Sequence, residues 1–202
     1  MNVATVGGLP VSVADVDARE SRLRAGPLAA SLPRPGTSEG RQLRRWLTQL
    51  LVSELVVQLE ARSAGLDDGA APSEAELLPD TAARLEVGSV AAASLQQPVA
   101  RALFVHLTRQ IRVSEQQIAD YHARNPLRFA APMPTESGWR TAPTEPPPLT
   151  QVRPAITEHL LGSARRQAFR RWLDSRRAAL VHLAPGYEHP GDPRQPDNTH
   201  TH

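Results

Sequence analysis

The segment LRRWLTQLLVSELVVQLEARSAGL constrains the fold of this chain more than any other. Leu43, Trp46, Leu47, Leu50, Leu51 and Val57 recur at steps of three and four residues until Gly65, the spacing that aligns side chains on one face of an α-helix. A helix this long with so wide an apolar stripe has to be covered by other elements. The rest of the chain offers helices rather than strands for that purpose. Apolar residues make up 40 % of it and aromatic ones only 4 %, while alanine and leucine, both strong helix formers, dominate. A mostly α fold is expected, and 202 residues are enough to bury a core as one domain with appendages.

Shorter signals fill in the order of elements. VATV, GG and LPVS read as a strand, a turn and a second extended piece. Ser12 then caps a helix, with Asp15 as its capping-box partner, and that helix stops near Gly26-Pro27. Thr37 or Ser38 starts the central helix. Ser73 and Glu76 form another capping box that Pro79 cuts short, and Thr81 to Ser94 reads as alanine-rich helix. A further helix spans about Val99 to Arg112. Ser114 and Gln117 open one that ends near Asn125-Pro126. Residues 131–148 are rich in proline and read as a linker or surface loop. Thr150 is the expected cap of a last long helix, Ile156 through Leu180, with Leu160, Leu161, Ala164, Phe169, Trp172 and Leu173 on its apolar face.

Charge and composition exclude several functions. The formal charge is +2, and all 23 residues counted as lysine or arginine are arginine. Without lysine little titrates near pH 10, so the pI of about 9.9 follows from a small excess of charge and does not mark a nucleic-acid binder. The chain has no cysteine, which removes disulfides, thiolate catalysis and cysteine-ligated zinc. It has no glycine-rich phosphate loop, zinc-finger spacing, nucleophile elbow or paired catalytic carboxylates. The opening MNVATVGGLPVSVADVDARE lacks a basic leader followed by an apolar run, and no segment approaches the roughly 20 apolar residues of a membrane span. A soluble, cytoplasmic protein is expected.

Three blocks carry a family resemblance. VGGLPVSVADVDARESRLR is similar to the strand, glycine turn and capped helix of the SurA/PrsA-type foldases, the chaperones that carry parvulin-like prolyl isomerase domains. LRRWLTQLLVSELVVQLEARSAGL resembles their long helix. VSEQQIADYHARNPLRF resembles a third motif through Val113, residues 115–117, Tyr121, Asn125-Pro126 and Phe129. In that family the isomerase domain follows the third block, and a long helix then returns to the chaperone core. LTQVRPAITEHLLGSARRQAFRRWLDSRRAAL looks like the returning helix, yet only the proline-rich loop stands at the insertion point. The resemblance therefore implies a helical chaperone core, residues 1–183, without isomerase activity. It further implies that Leu180-Val181-His182-Leu183 pairs as a strand with Val3-Ala4-Thr5-Val6.

Two functional readings follow, from different classes. The first is a chaperone-like module that binds a protein or peptide client in an apolar groove, with Trp46, Phe129, Trp139 and Trp172 as candidate contacts. The second centres on the tail APGYEHPGDPRQPDNTHTH, residues 184–202. His-Thr-His in extended form projects both imidazoles to one side. His189, Asp192, His200 and His202, joined by His122, are the candidate ligands for a divalent transition metal such as zinc, iron, copper or nickel in a metalloenzyme or its accessory protein. Without metal, the four tail prolines and Tyr187 favour a tail packed on the body over a free one. Strand exchange into a homo-oligomer is a third possibility weighed. His106 and His159 read as core histidines, and Arg165, Arg166, Arg170, Arg171, Arg176 and Arg177 as a solvated face paired with Asp174, Glu158 and the early acidic helices.

Overall fold

The computed structural model describes residues 1–67, 69, 71–130 and 145–189, together with the backbone of 133–134 and 140–141. Within these residues the chain is mostly helical, with a small antiparallel sheet. Strands β1 (Asn2–Val6) and β2 (Leu9–Ser12) form a hairpin around Gly7-Gly8. Helix α1 (Val13–Arg24) follows at once, because the Ser12 hydroxyl accepts from the Asp15 N–H while the Asp15 carboxylate accepts from the Ser12 N–H and hydroxyl. A 3-10 turn at Ala29–Ser31 lies in the loop leading to Thr37, which caps α2 (Ser38–Ser63).

Helix α2 is the centre of the molecule. It packs against β1, α1, and the later helices α5 (Ser89–Ser94), α6 (Pro98–Thr108) and α8 (Leu149–Leu180). With neighbours on so many sides it buries polar positions as well as apolar ones. Thr48 and Ser53 are 0 % exposed, and each hydroxyl donates to the carbonyl four residues back, Arg44 and Gln49 respectively, so neither buried hydroxyl is left without an acceptor. Arginines fasten α1 to α2: Arg19 to Glu54 at 2.6 Å, and Arg44 to both Asp17 and Glu20 at 2.6 and 2.7 Å.

The alanine-rich stretch differs from the single helix expected there. Helices α3 (Glu74–Leu77) and α4 (Thr81–Val87) are capped by Ser73 and Asp80, and α4 ends at Gly88, beyond which α5 begins. Gly88 has φ 88° and ψ 151°, a region open in practice only to glycine, so the chain turns there. Helix α6 stops at Thr108 rather than Arg112, and the Arg112 guanidinium donates to the carbonyls of Arg109 and Ile111. Helix α7 (Glu115–Arg124) has the expected Ser114–Gln117 box and stops at Asn125. The last helix begins earlier than expected: α8 starts at Leu149 with Pro148 as N-cap, Thr150 makes no side-chain cap, and Pro154 sits inside the helix. Its ring removes a donor but leaves the helix continuous, and Val152 and Ile156 on either side of it are buried.

The sheet closes the two ends of the described chain. Strands β3 (Met133–Pro134) and β4 (Arg140–Thr141) pair with one another, and β5 (Val181–Leu183) pairs with β1 in the register Ala4–Leu183, Thr5–His182 and Val6–Val181. The order β2-β1-β5 makes β1 the middle strand, which fulfils the pairing expected of the chain ends. The next residues continue along the body. Ala184 N–H donates to Val3 O, Arg45 Nε to Gly186 O and Gln49 Nε2 to Tyr187 O, while the Tyr187 ring packs on the main core.

Among the described residues two apolar clusters result. The main one joins Val3 and Val6 to Leu47, Val56, Val87, Leu95, Leu103 and, from the second half of α8, Phe169 and Leu173. The smaller one joins Ile118 of α7 to Val152 and Ile156 in the first half of α8, with Tyr121 and Phe129 against it. Helix α8, about 48 Å long at 1.5 Å per residue, is the beam that spans both.

Candidate functional site

Where α8 passes from one cluster to the other, a cleft of about 660 Å³ opens between it and α3–α4. One face of α8 forms a wall through Ala155, Glu158, His159, Gly162, Arg165 and Arg166, positions spaced by three and four residues. Leu77, Pro79, Ala82 and Ala83 face them, Phe104 lies at the α6 side, and Arg128-Phe129 close the end nearest α7. The space exists because Ala155, Gly162, Ala82 and Ala83 carry little or no side chain. Gly162 has a second role. A Cβ there would come within 3.0 Å of Arg166 Nη1, so the bare backbone lets the Arg166 head group lie across the helix.

Arg166 is 8 % exposed and its charge is met from α4. Its Nε donates to Glu86 Oε2 at 2.7 Å and its Nη1 to Leu77 O at 3.3 Å, while Ser163 donates its hydroxyl to Glu86. Burial pushes the Glu86 carboxyl up, but the hydrogen bonds from Ser163 and Arg166 and the Arg166 charge outweigh it and hold the carboxyl below the ordinary glutamate range. The two walls of the cleft are thus tied together at its base.

At the α7 end stands an aromatic group. The Tyr121 and His159 ring centroids are 5.3 Å apart, Phe129 and His159 5.9 Å in an edge arrangement, and Tyr121 and Phe129 6.2 Å. The Arg128 guanidinium lies 5.9 Å from the Tyr121 ring centre, a cation over a π face. Burial, then the positive charge of Arg128, lowers the His159 pKa from its ordinary value, so the imidazole is neutral at neutral pH.

Of the four aromatic residues expected to contact a client, Phe129 lines this cleft. Trp46 and Trp172 pack against the main core, Trp172 stacked on Phe169 with centroids 5.5 Å apart. Trp139 lies outside the described residues. The metal candidates divide in the same way. Asp192, His200 and His202 lie outside the described residues. His189 is exposed beside Gly88, Arg170 and Arg177. His122 Nε2 is 2.9 Å from Pro147 O, and since a carbonyl can only accept, that nitrogen carries the proton. Among the described residues no group of three or more histidine, cysteine, aspartate or glutamate side chains could hold a metal ion.

The reading of single residues missed His159, Arg128 and Glu86 as parts of one site. His159 had the signature of a core histidine, and Arg166 was expected to pair within its own helix or with early acidic helices, whereas its partner is Glu86 of α4. The signal that could have found them is the run Ala155, Gly162 on the same α8 face as His159 and Arg166. Small residues beside large polar ones on a helix flank mark space that no neighbour fills.

Among the described residues, no helix is long and apolar enough to cross a membrane. A family model described as "Family of unknown function (DUF7158)" matches residues 2–39, which hold β1, β2, α1 and the entry into α2 and stop short of the cleft. No curated protein and no solved structure matches the chain.

Proposed function

We propose that this protein is a chaperone-like module that holds an extended protein or peptide segment in the cleft between α4 and α8, and that it has no prolyl isomerase activity. The observation that carries the reading is the cleft itself. Its volume of about 660 Å³ falls in the range of ligand sites, and a lining that mixes apolar and charged side chains suits a chain whose side chains alternate. The order of the elements supports it too: ends joined in one sheet, α7 followed by a short connection, and a long returning helix resemble a SurA/PrsA-type core. The connection at residues 131–148 is far too short for a parvulin domain.

The test fills the cleft from a position that carries no core. Ala155 is exposed, so Ala155→Trp adds bulk to the opening without displacing buried atoms. Suppression of aggregation of a chemically denatured client, followed by light scattering, is expected for the wild type and lost in Ala155→Trp. Isomerisation of an Ala-Pro peptide is expected at the uncatalysed rate with both. Full protection by Ala155→Trp, with its fold intact by circular dichroism, would remove the cleft from the reading.

A further inference from the structure

We infer that the cleft selects segments in which an apolar side chain neighbours an acidic one, an inference that rests on the peptide-binding reading above. The argument is one of charges left over. Among the described residues four acidic ones line the cleft, and three are committed to the fold. Glu76 closes the capping box of α3 with Ser73, Asp80 caps α4 through the Ala83 N–H, and Glu86 takes Arg166 and Ser163. Arg166 is in turn satisfied by Glu86 and Leu77 O.

What remains is Glu158, exposed, against two cations, Arg128 and Arg165. Among the described residues neither arginine has a carboxylate partner. Arg128 has only the Tyr121 ring beneath it, and the Arg165 Nε is enclosed without any acceptor. An enclosed guanidinium nitrogen lacking an acceptor is a deficit that a carboxylate approaching the remaining nitrogens offsets through charge-assisted bonds. The Phe129 and His159 rings and the apolar Leu161 and Leu77 line the same cleft, so a bound acid has apolar surface beside it. A basic segment would face two unneutralised arginines, and a purely apolar one would leave them dry and unpaired.

The experiment uses end-capped, dye-labelled peptides, so that only side-chain carboxylates contribute. One alternates leucine or phenylalanine with glutamate, and a second replaces every glutamate by glutamine. Binding to the full chain is read by fluorescence anisotropy. The glutamate peptide is expected to bind about tenfold tighter than its glutamine counterpart, and the preference is expected to weaken as salt is raised. In Arg128→Gln/Arg165→Gln it should vanish while the glutamine peptide binds as before. Both arginines sit outside the cores, and a thermal melt checks that the variant folds. Equal binding of the two peptides by the wild type, or a charge preference that survives in the double variant, overturns the inference and leaves the peptide-binding reading standing. Loss of binding of the glutamine peptide in Ala155→Trp confirms that binding occurs in this cleft, whereas no effect of that variant on either peptide sinks both.

Discussion

The ion pair at the base of the cleft gives the sharpest quantitative test. Glu86→Gln removes the charge that Arg166 faces while keeping the size and one acceptor oxygen of the side chain. The Arg166 side chain is 9 % exposed and that of Glu86 26 %, so the pair lies between two limits. Exposed pairs are worth about 0–1 kcal/mol, and stripping one partner from a fully buried pair costs about 3–5 kcal/mol. A buried cation that keeps Leu77 O and a neutral amide oxygen, next to a partner site one quarter open to water, places the expected loss at about 2–3 kcal/mol. Urea unfolding followed by circular dichroism reads it as a shift in midpoint at constant slope. Arg166→Leu in the same background supplies the control: the double variant has no lone buried charge and should recover at least half of the loss. The pH dependence has a definite sign. Since the folded carboxyl titrates below its ordinary value of 4.5, its contribution is complete above that pH and disappears as acid carries the solution through the lowered value. The gap between wild type and Glu86→Gln should close over that interval. A loss under about 0.5 kcal/mol, or single-variant losses that simply add in the double, would refute the assignment of Glu86–Arg166 as the tie between the walls.

Three further outcomes are expected. Gly88→Ala has space, its nearest foreign atom being Arg170 Nε at 3.9 Å, but forces an L-residue into the positive-φ corner between α4 and α5 and should cost about 1–3 kcal/mol by thermal denaturation. His159→Phe keeps the ring contacts and removes a titrating group. Because the folded His159 pKa is lowered from 6.5, the wild type should lose stability relative to this variant as pH falls below 6.5, and the two should run parallel above it. Gln49→Leu removes the donor to Tyr187 O and the acceptor of the half-buried Arg177 guanidinium. It should cost about 2–4 kcal/mol and speed cleavage after Tyr187 in limited chymotrypsin digestion.

The parts of the fold that were legible in sequence are those where local chemistry decides. Ser12 with Asp15 and Ser114 with Gln117 are complete capping boxes within four residues, so the starts of α1 and α7 needed no tertiary information. The apolar period of α2 was wide enough to declare a buried helix. Element ends set by distant contacts were not legible. Gly88 looked like one more small residue in an alanine-rich run, and its break depends on α4 and α5 packing on different neighbours. The expected start of α8 at Ile156 was too late, because burial of Val152 and Ile156 against α7 outweighs the one backbone donor that Pro154 lacks. The cleft was least visible, because it is a space defined by what Ala155 and Gly162 lack and because Glu86 and Arg166 meet only after α4 and α8 have packed. Phe129 was named among the aromatic candidates, while Trp46 and Trp172, named with it, serve the core.

The position of β1 in the sheet imposes an order on synthesis. Its first neighbour, β2, leaves the ribosome within a few residues of it, but its second, β5, is among the last described segments to be made. Until then Val3 O and Gly7 N–H, which pair with Ala184 and Leu180, lie on an open hydrogen-bonding edge, and Gln49 and Arg45 have no Gly186-Tyr187 backbone to grip. Nascent protein must therefore wait with its central strand half dressed, and the final dozen residues of α8 and β5 act as the stopper that seals it.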